Sequence, residues 1–191
     1  MVQPRRIFLA TPALRLPGWT ARWLAAHAPG GRVRRAGDRM AFAIGLAAEN
    51  VRRRTGGPFG AAVFEPRGGR LVAVGVNRVL ETGQSHAHAE MLALSLAQRA
   101  RKTFDLAGLE LVSSSEPCAM CFGAIPWSGV RRLVCGARAA DAEAIGFDEG
   151  PKPRGWVAAL ERRGIEVVRD VRRAEAVAVL RSYRAAGERI Y

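Results

Sequence analysis

Two short segments of the sequence contain side chains that could bind a metal ion and transfer protons. One reads His86-Ala87-His88-Ala89-Glu90, and the other reads Glu116-Pro117-Cys118-Ala119-Met120-Cys121. Cys118 and Cys121 are three positions apart, the spacing at which two thiolates reach one metal ion from the first turn of a helix. The remaining cysteine is Cys135, so four cysteines are not available for a closed structural zinc site.

One histidine would complete a set of three protein ligands, and we expect it to be His88. Three ligands leave the fourth tetrahedral position open to water, which is the arrangement of catalytic zinc sites. Glu90 follows His88 by two positions, so its carboxylate could take a proton from that water and return it to a leaving nitrogen. His86 has no glutamate at this spacing, and we expect it to be structural or to face solvent. Cys135 lies in an apolar run, where a buried and inert thiol is expected.

The combination of the two segments is more informative than either segment alone. A single Cys-x-x-Cys also occurs in redox and structural zinc sites. The order His-x-Glu and then Pro-Cys-x-x-Cys is typical of zinc-dependent nucleobase deaminases. The sequence therefore predicts one Zn²⁺ per chain, bound by His88, Cys118 and Cys121, with Glu90 as the proton shuttle.

Strands and helices alternate in the part of the chain that carries these segments. We expect Asp38 to cap a helix that ends before Gly56, and a hairpin to follow with its turn at 65–69. Further helices are predicted at 86–101, 118–127, 156–163 and 174–186, and further strands at 109–112, 132–137 and 165–168. This alternation predicts an α/β fold with helices on both faces of a sheet, and both chemical segments begin a predicted helix.

The net charge of +13 first suggests a nucleic-acid or membrane partner. Residues 1–54 hold eleven arginines against two acids, whereas residues 55–191 hold nineteen basic and fifteen acidic residues. The charge therefore lies mainly outside the segments that carry the chemistry, and we expect neither a nucleic acid nor a membrane as partner. We interpret 1–37 as an arginine-rich extension with one short helix near 19–26, and 38–191 as the catalytic domain.

The location of the protein in the cell is expected to be the cytoplasm. Three cysteines argue against a disulfide framework, and no apolar run reaches the roughly 18–20 residues that cross a membrane. The first 37 residues contain no acid and could mimic a transit peptide, although a poorly constrained extension is the simpler interpretation.

From Gly57 to Tyr191 the sequence resembles the small bacterial guanine deaminases of the cytidine-deaminase-like superfamily. The matching stretches are 57–62, 75–79, 88–90, 116–125, Trp127, 143–150 and 190–191. The resemblance implies a three-layer α/β/α sandwich around a central mixed five-stranded sheet. It also implies hydrolysis of guanine to xanthine and ammonia, with zinc hydroxide attacking C2 of the purine.

The same resemblance implies further site residues. Asn77 would bind the purine edge, and Glu149 would face the purine as a second catalytic acid. Phe59, Ala89 and Trp127 would line or close the base pocket. The C-terminal segment with Tyr191 would fold over the site, and two subunits would exchange elements in a domain-swapped homodimer.

Other functions stay open at this point. The same chemistry could act on guanosine, cytosine or cytidine, an aminated triazine, or adenosine in tRNA. A protein that has kept the zinc site but lost catalysis could serve as a nucleic-acid-binding module. The presence of Glu90 argues against the second alternative, because a purely structural zinc site needs no such carboxylate.

Overall fold

The computed structural model describes residues 15–191. The expected extension is thus covered only from Arg15 onward, and its earlier part lies outside the described residues. Five strands form one sheet in the order β2-β1-β3-β4-β5. Their bounds are β1 Gly60–Phe64, β2 Leu71–Val76, β3 Glu110–Ser115, β4 Arg132–Ala137 and β5 Glu166–Val168.

The sheet is mixed, as the resemblance implied. β1 pairs antiparallel with both β2 and β3, whereas β3–β4 and β4–β5 are parallel pairs. The β1–β2 pair is the predicted hairpin, and the parallel pairs require helical crossovers. The helices are α1 Thr20–His27, α2 Ala36–Arg52, α3 Val79–Thr82, α4 Ala89–Arg101, α5 Ala119–Ser128, α6 Ala139–Glu143, α7 Trp156–Glu161 and α8 Arg173–Ala185.

Two apolar cores lie on the two faces of the sheet. One contains buried residues of α2 and α8 together with Phe64 and Val112 of the strands. The other contains buried residues of α4, α5 and α7 together with Val63 and Leu111. Neighbouring strand residues point to opposite faces, so Val63 and Phe64 enter different cores. The predicted three-layer α/β/α sandwich is confirmed.

The predicted cap at Asp38 is wrong. The residue before α2 is Arg35, and Asp38 lies inside the first turn of the helix. An acid in the first turn still interacts favourably with the exposed N–H groups of the helix, which explains why it resembles a cap in the sequence. The short helices α3 and α6 were not predicted, because four or five residues show no helical period.

Residues before α2 pack against the sandwich. Trp23 of α1 contacts Phe42 of α2 with their ring centroids 4.9 Å apart. Val33 is buried, and Arg32 forms an isolated bridge with Arg70 next to β2. Among residues 15–191, no helix is long and apolar enough to cross a membrane.

Candidate active site

The two chemical segments meet because each precedes a helix that packs on the same face of the sheet. His88 and Cys118 are the residues immediately before α4 and α5, and both have extended backbones. Gly75 of β2 lets α4 come close, because a Cβ at this position would lie 2.0 Å from the Ala89 carbonyl oxygen. The N-terminal ends of two helices thus meet at one site, where the helix dipoles favour negative charge.

His88, Cys118 and Cys121 bring three metal-binding atoms together. The His88 Nδ1 atom lies 3.5 Å from Cys118 Sγ and 3.7 Å from Cys121 Sγ. Zinc bonds of about 2.0 Å to nitrogen and 2.3 Å to sulfur in a tetrahedron give an N···S separation of about 3.5 Å. Within residues 15–191, this is the one group of histidine, cysteine and acidic side chains whose atoms converge closely enough for a metal ion.

The titration behaviour of the two cysteines also fits a cation. A hydrogen bond from Cys121 and another interaction with His88 lower the pKa of Cys118 to about 4, despite its burial. The Cys118 thiolate and burial raise the pKa of Cys121 well above its usual range, and Glu90 adds to this effect. Positive charge in the site would favour the second thiolate. A divalent zinc ion supplies that charge, so these side chains fit the metal.

Glu90 lies in the first turn of α4, beside this ligand group. Its carboxylate accepts a hydrogen bond from the Ser113 hydroxyl at 3.0 Å, and its other oxygen lies 3.5 Å from Cys121 Sγ. The side chain is buried, and burial together with the Cys118 charge raises the pKa of Glu90. Burial lowers the pKa of His88, but its interactions with Cys118 and Glu90 outweigh that effect and raise it.

A cavity opens onto the ligand group. Most of the residues expected at the site line it, and they are Phe59, Asn77, His88, Glu90, Cys118, Glu149 and Tyr191. Phe147 packs between Phe59 and Tyr191, with ring centroids 4.9 Å and 5.4 Å away. Ala89 is fully buried next to His88, and it is not among the lining residues.

Two polar atoms of the cavity residues have no hydrogen-bond partner within the described chain. They are Oε2 of Glu149 and the hydroxyl of Tyr191, and both are buried. Burial raises the pKa of Glu149 to about 8, and the negative charges of Cys118 and Glu90 add to the effect. Buried polar atoms without partners are rare, so their presence in one cavity points to a polar ligand.

Trp127 does not line this cavity, contrary to the expectation that it closes the base pocket. Its side chain is 80% exposed and borders a separate groove beside Met91, Leu94 and Ala124. The reason is the helical period of α5. Trp127 follows Cys121 by six residues, which turns it roughly 120° away around the helix axis.

The contacts of three further residues near the site were not predicted from the sequence. Ser113 holds Glu90, as described above. Asn50 donates from its amide to the carbonyl oxygens of Gly57 and Asn77, both at 2.9 Å, and so links α2 to the cavity wall. Lys152 donates to the Pro117 carbonyl oxygen at 2.7 Å. A run of three serines directly after the predicted strand 109–112 and an asparagine near the end of a mainly apolar helix are the signals that could have drawn attention to the first two.

Comparison with known proteins places this chain in a family. Residues 35–137 match the family described as "Cytidine and deoxycytidylate deaminase zinc-binding region". The chain belongs to this family. The matched range contains all three candidate ligands and Glu90, and the family's zinc-binding character agrees with the geometry of the ligand group.

Several known proteins are similar to the chain over much of its length. A solved guanine deaminase from Nitrosomonas europaea is 46% identical, covers 94% of this chain and 99% of its own, and has a TM-score of 0.84. A chain solved in complex with 2,6-diaminopurine is 48% identical, covers 94% of this chain and 96% of its own, and also has a TM-score of 0.84. The guanine deaminase of Bacillus subtilis is 37% identical over 107 residues, which are 56% of this chain and 67% of the relative.

Proposed function

We propose that this chain is a zinc-dependent aminohydrolase that converts guanine and water to xanthine and ammonia. The observation that carries the choice of substrate is the unpartnered Oε2 of Glu149, which lies in the same cavity as Glu90. Guanine presents an N1–H and a 2-amino group on one edge, and both can donate to an ionised Glu149 carboxylate. The pKa of Glu149 is raised in the metal-free site, and the positive charge of bound zinc would favour the ionised form. Adenine has only an acceptor at N1 and offers no donor there.

Asn77 is proposed to bind the opposite side of the base. Its Oδ1 accepts a hydrogen bond from the Val79 backbone N–H at 3.2 Å. This bond commits the carbonyl end of the amide, so the NH₂ end is the group that can donate to an acceptor of the purine. Phe59 supplies an apolar surface for the ring, and the Tyr191 hydroxyl is a further polar contact for a bound base.

His88, Cys118 and Cys121 are proposed to hold the zinc ion, and Glu90 and Glu149 to move the protons. When bound, zinc polarises a water molecule so that it ionises near neutral pH. Glu90 accepts the proton that the water loses as its oxygen bonds to C2, and delivers it to a ring nitrogen. Glu149 takes the second proton from the hydroxyl group now bonded to C2 and passes it to the 2-amino group, so that the C2–N bond breaks, ammonia leaves and the C2 carbonyl of xanthine forms. Each such group typically contributes about 10²- to 10⁴-fold in rate.

The experiment that tests this assignment compares the zinc-loaded protein with its Glu90→Gln variant. We expect the variant to keep the fold and one zinc per chain but to lose ammonia release from guanine by at least about 10²-fold. A fully active variant would show that Glu90 does not carry the proton. Ammonia released only from tRNA, and not from guanine, would replace the proposed substrate by the tRNA alternative.

We also propose that the protein acts as a homodimer in the cytoplasm. The supporting observation is the exposed Trp127 ring next to the groove bordered by Met91, Leu94 and Ala124. A two-fold contact uses the same patch on both subunits. The projecting Trp127 ring of each subunit can therefore pack into the apolar groove of the other. Exchange of elements between the subunits stays a prediction, since Tyr191 lines the cavity of its own chain.

A further inference from the structure

Lys152 is unusual in this protein in both its type and its burial. It is one of two lysines in a chain with thirty basic residues, and the other is Lys102. The Lys152 side chain is 9% exposed, whereas Lys102 is exposed after the end of α4. Lysine side chains are rarely buried unless their charge has specific partners, so the contacts of Lys152 require an explanation.

Three groups surround the Lys152 ammonium. It donates a hydrogen bond to the Pro117 carbonyl oxygen at 2.7 Å. It also lies 3.9 Å from Glu116 Oε2 and 4.7 Å from the centroid of the Trp156 ring. Glu116 is itself held by Arg169, at 2.6 Å, so the carboxylate that faces Lys152 is fixed on its other side. The ammonium therefore occupies a defined position rather than a solvated one.

These contacts join the segment that carries Glu149 to the segment that carries the candidate metal ligand Cys118. Pro117 immediately precedes Cys118, and Lys152 follows Glu149 by three residues. The same two segments are joined by a backbone hydrogen bond from the Ala119 N–H to the Glu149 carbonyl oxygen at 2.8 Å. The turn between them contains Gly150 in a left-handed conformation with φ +68°.

The Glu149 carboxylate depends on this junction for its position. Its Oε2 has no hydrogen-bond partner within residues 15–191, so no hydrogen bond holds that oxygen in place. The position of the carboxylate then depends on the backbone at Glu149. That backbone is held by the hydrogen bond from the Ala119 N–H and by the contacts of Lys152. A small displacement of a catalytic group can lower the rate by about 10²-fold, so the fastening matters for catalysis.

We propose that Lys152 is a positioning residue that holds Glu149 in the cavity by fastening its turn to the Pro117 carbonyl group. The role of Glu149 in this statement rests on the proposed function. An ammonium suits the place because it concentrates its charge at one point between a carbonyl oxygen and an aromatic ring, whereas the guanidinium of arginine is planar and larger.

A double-mutant cycle between Lys152 and Glu149 tests the proposal in the zinc-loaded protein. We expect Lys152→Met to lower kcat for guanine about tenfold or more while zinc content stays at one per chain. In the Glu149→Gln background the same change should alter kcat by less than about twofold, because the group that Lys152 positions is already lost. Lys102→Met removes the same charge at an exposed place and should leave kcat unchanged.

Hydrogen exchange at the Ala119 amide is a second readout that needs no turnover. This amide donates to Glu149, so Lys152→Met should accelerate its exchange, whereas Lys102→Met should not. If the protein does not deaminate guanine but Ala119 exchange responds, the proposed function fails and the fastening by Lys152 stands. Equal effects of Lys152→Met on kcat in both backgrounds, or unchanged exchange at Ala119, would overturn the inference.

Lys152→Arg serves as the second variant for the same cycle if Lys152→Met does not fold. It keeps the charge but changes the shape of the group that meets Pro117. We expect a smaller loss of kcat than for methionine, and again no loss in the Glu149→Gln background. A loss of equal size in both backgrounds would contradict the proposal here too.

Discussion

The Ser113 hydroxyl donates a hydrogen bond to Oε1 of Glu90 at 3.0 Å, and both residues are buried. The bond joins the central strand β3 to the first turn of α4, where the proposed proton shuttle lies. It fixes one carboxylate oxygen, so the other is the oxygen that can exchange protons with water and substrate.

Replacing Ser113 by alanine is expected to lower kcat for guanine about tenfold, because a hydrogen bond to a charged group contributes about 1.5 kcal/mol or more. Zinc content and KM should change little. Steady-state kinetics together with metal analysis measures all three quantities. Ser114→Ala is the matched control, since Ser114 accepts from the Gly60 N–H and does not touch Glu90. Equal losses of kcat in both variants would mean that Ser113 acts through strand stability alone.

The assignment of the zinc ligands can be tested by comparing a cysteine of the ligand group with the cysteine outside it. Cys118→Ala removes one of the three converging ligands and is expected to lose zinc. Cys135→Ala removes a buried thiol in β4 that belongs to no ligand group and should keep zinc. Metal analysis of the purified variants gives the answer. Retention of one zinc per chain by Cys118→Ala would refute the ligand assignment.

Gly57 has no side chain, and the Tyr191 hydroxyl lies in the space that a side chain at this position would fill. A Cβ at Gly57 would lie 2.3 Å from the Tyr191 hydroxyl and 3.2 Å from Asn77 Oδ1. Gly57→Ala should therefore displace Tyr191 and raise KM for guanine about tenfold, while zinc stays bound. Gly37→Ala is the control, because a Cβ there meets nothing within 4 Å. An unchanged KM in Gly57→Ala would show that Tyr191 does not contribute to substrate binding.

The proposed dimer can be disrupted at Trp127. A charge in place of this exposed ring should prevent an apolar contact between subunits, so Trp127→Asp is expected to be monomeric at concentrations where the parent protein is dimeric. Sedimentation equilibrium measures the masses. Ser182→Asp places the same charge on α8, on the opposite layer of the sandwich, and should remain dimeric. A dimer in both variants would place the interface elsewhere.

The metal ligands and Glu90 could be predicted from the sequence because the chemistry is local. His88 and Glu90 are two residues apart, Cys118 and Cys121 are three apart, and each pair begins a helix. The alternation of strands and helices likewise predicted the layers of the fold. Asn77, Glu149 and Tyr191 required the resemblance, because no spacing rule connects them to the ligands.

The contacts that hold these residues could not be predicted in the same way. Ser113 lies 23 residues from Glu90, and Lys152 lies 35 residues from Pro117. Such pairs form only when the sheet and the loops are assembled. The orientation of Trp127, in contrast, could have been predicted from the sequence. The helical period alone turns it away from Cys121, which argues against a place in the base pocket.

The most direct test of the proposed function is a substrate panel on the zinc-loaded protein, with release of ammonia and formation of xanthine followed together. Guanine, guanosine, cytosine, cytidine, an aminated triazine and tRNA are compared under one set of conditions. We expect guanine to give xanthine and ammonia in equal amounts, with the highest kcat/KM of the panel. Release of ammonia from tRNA or cytidine without any xanthine from guanine would contradict the account.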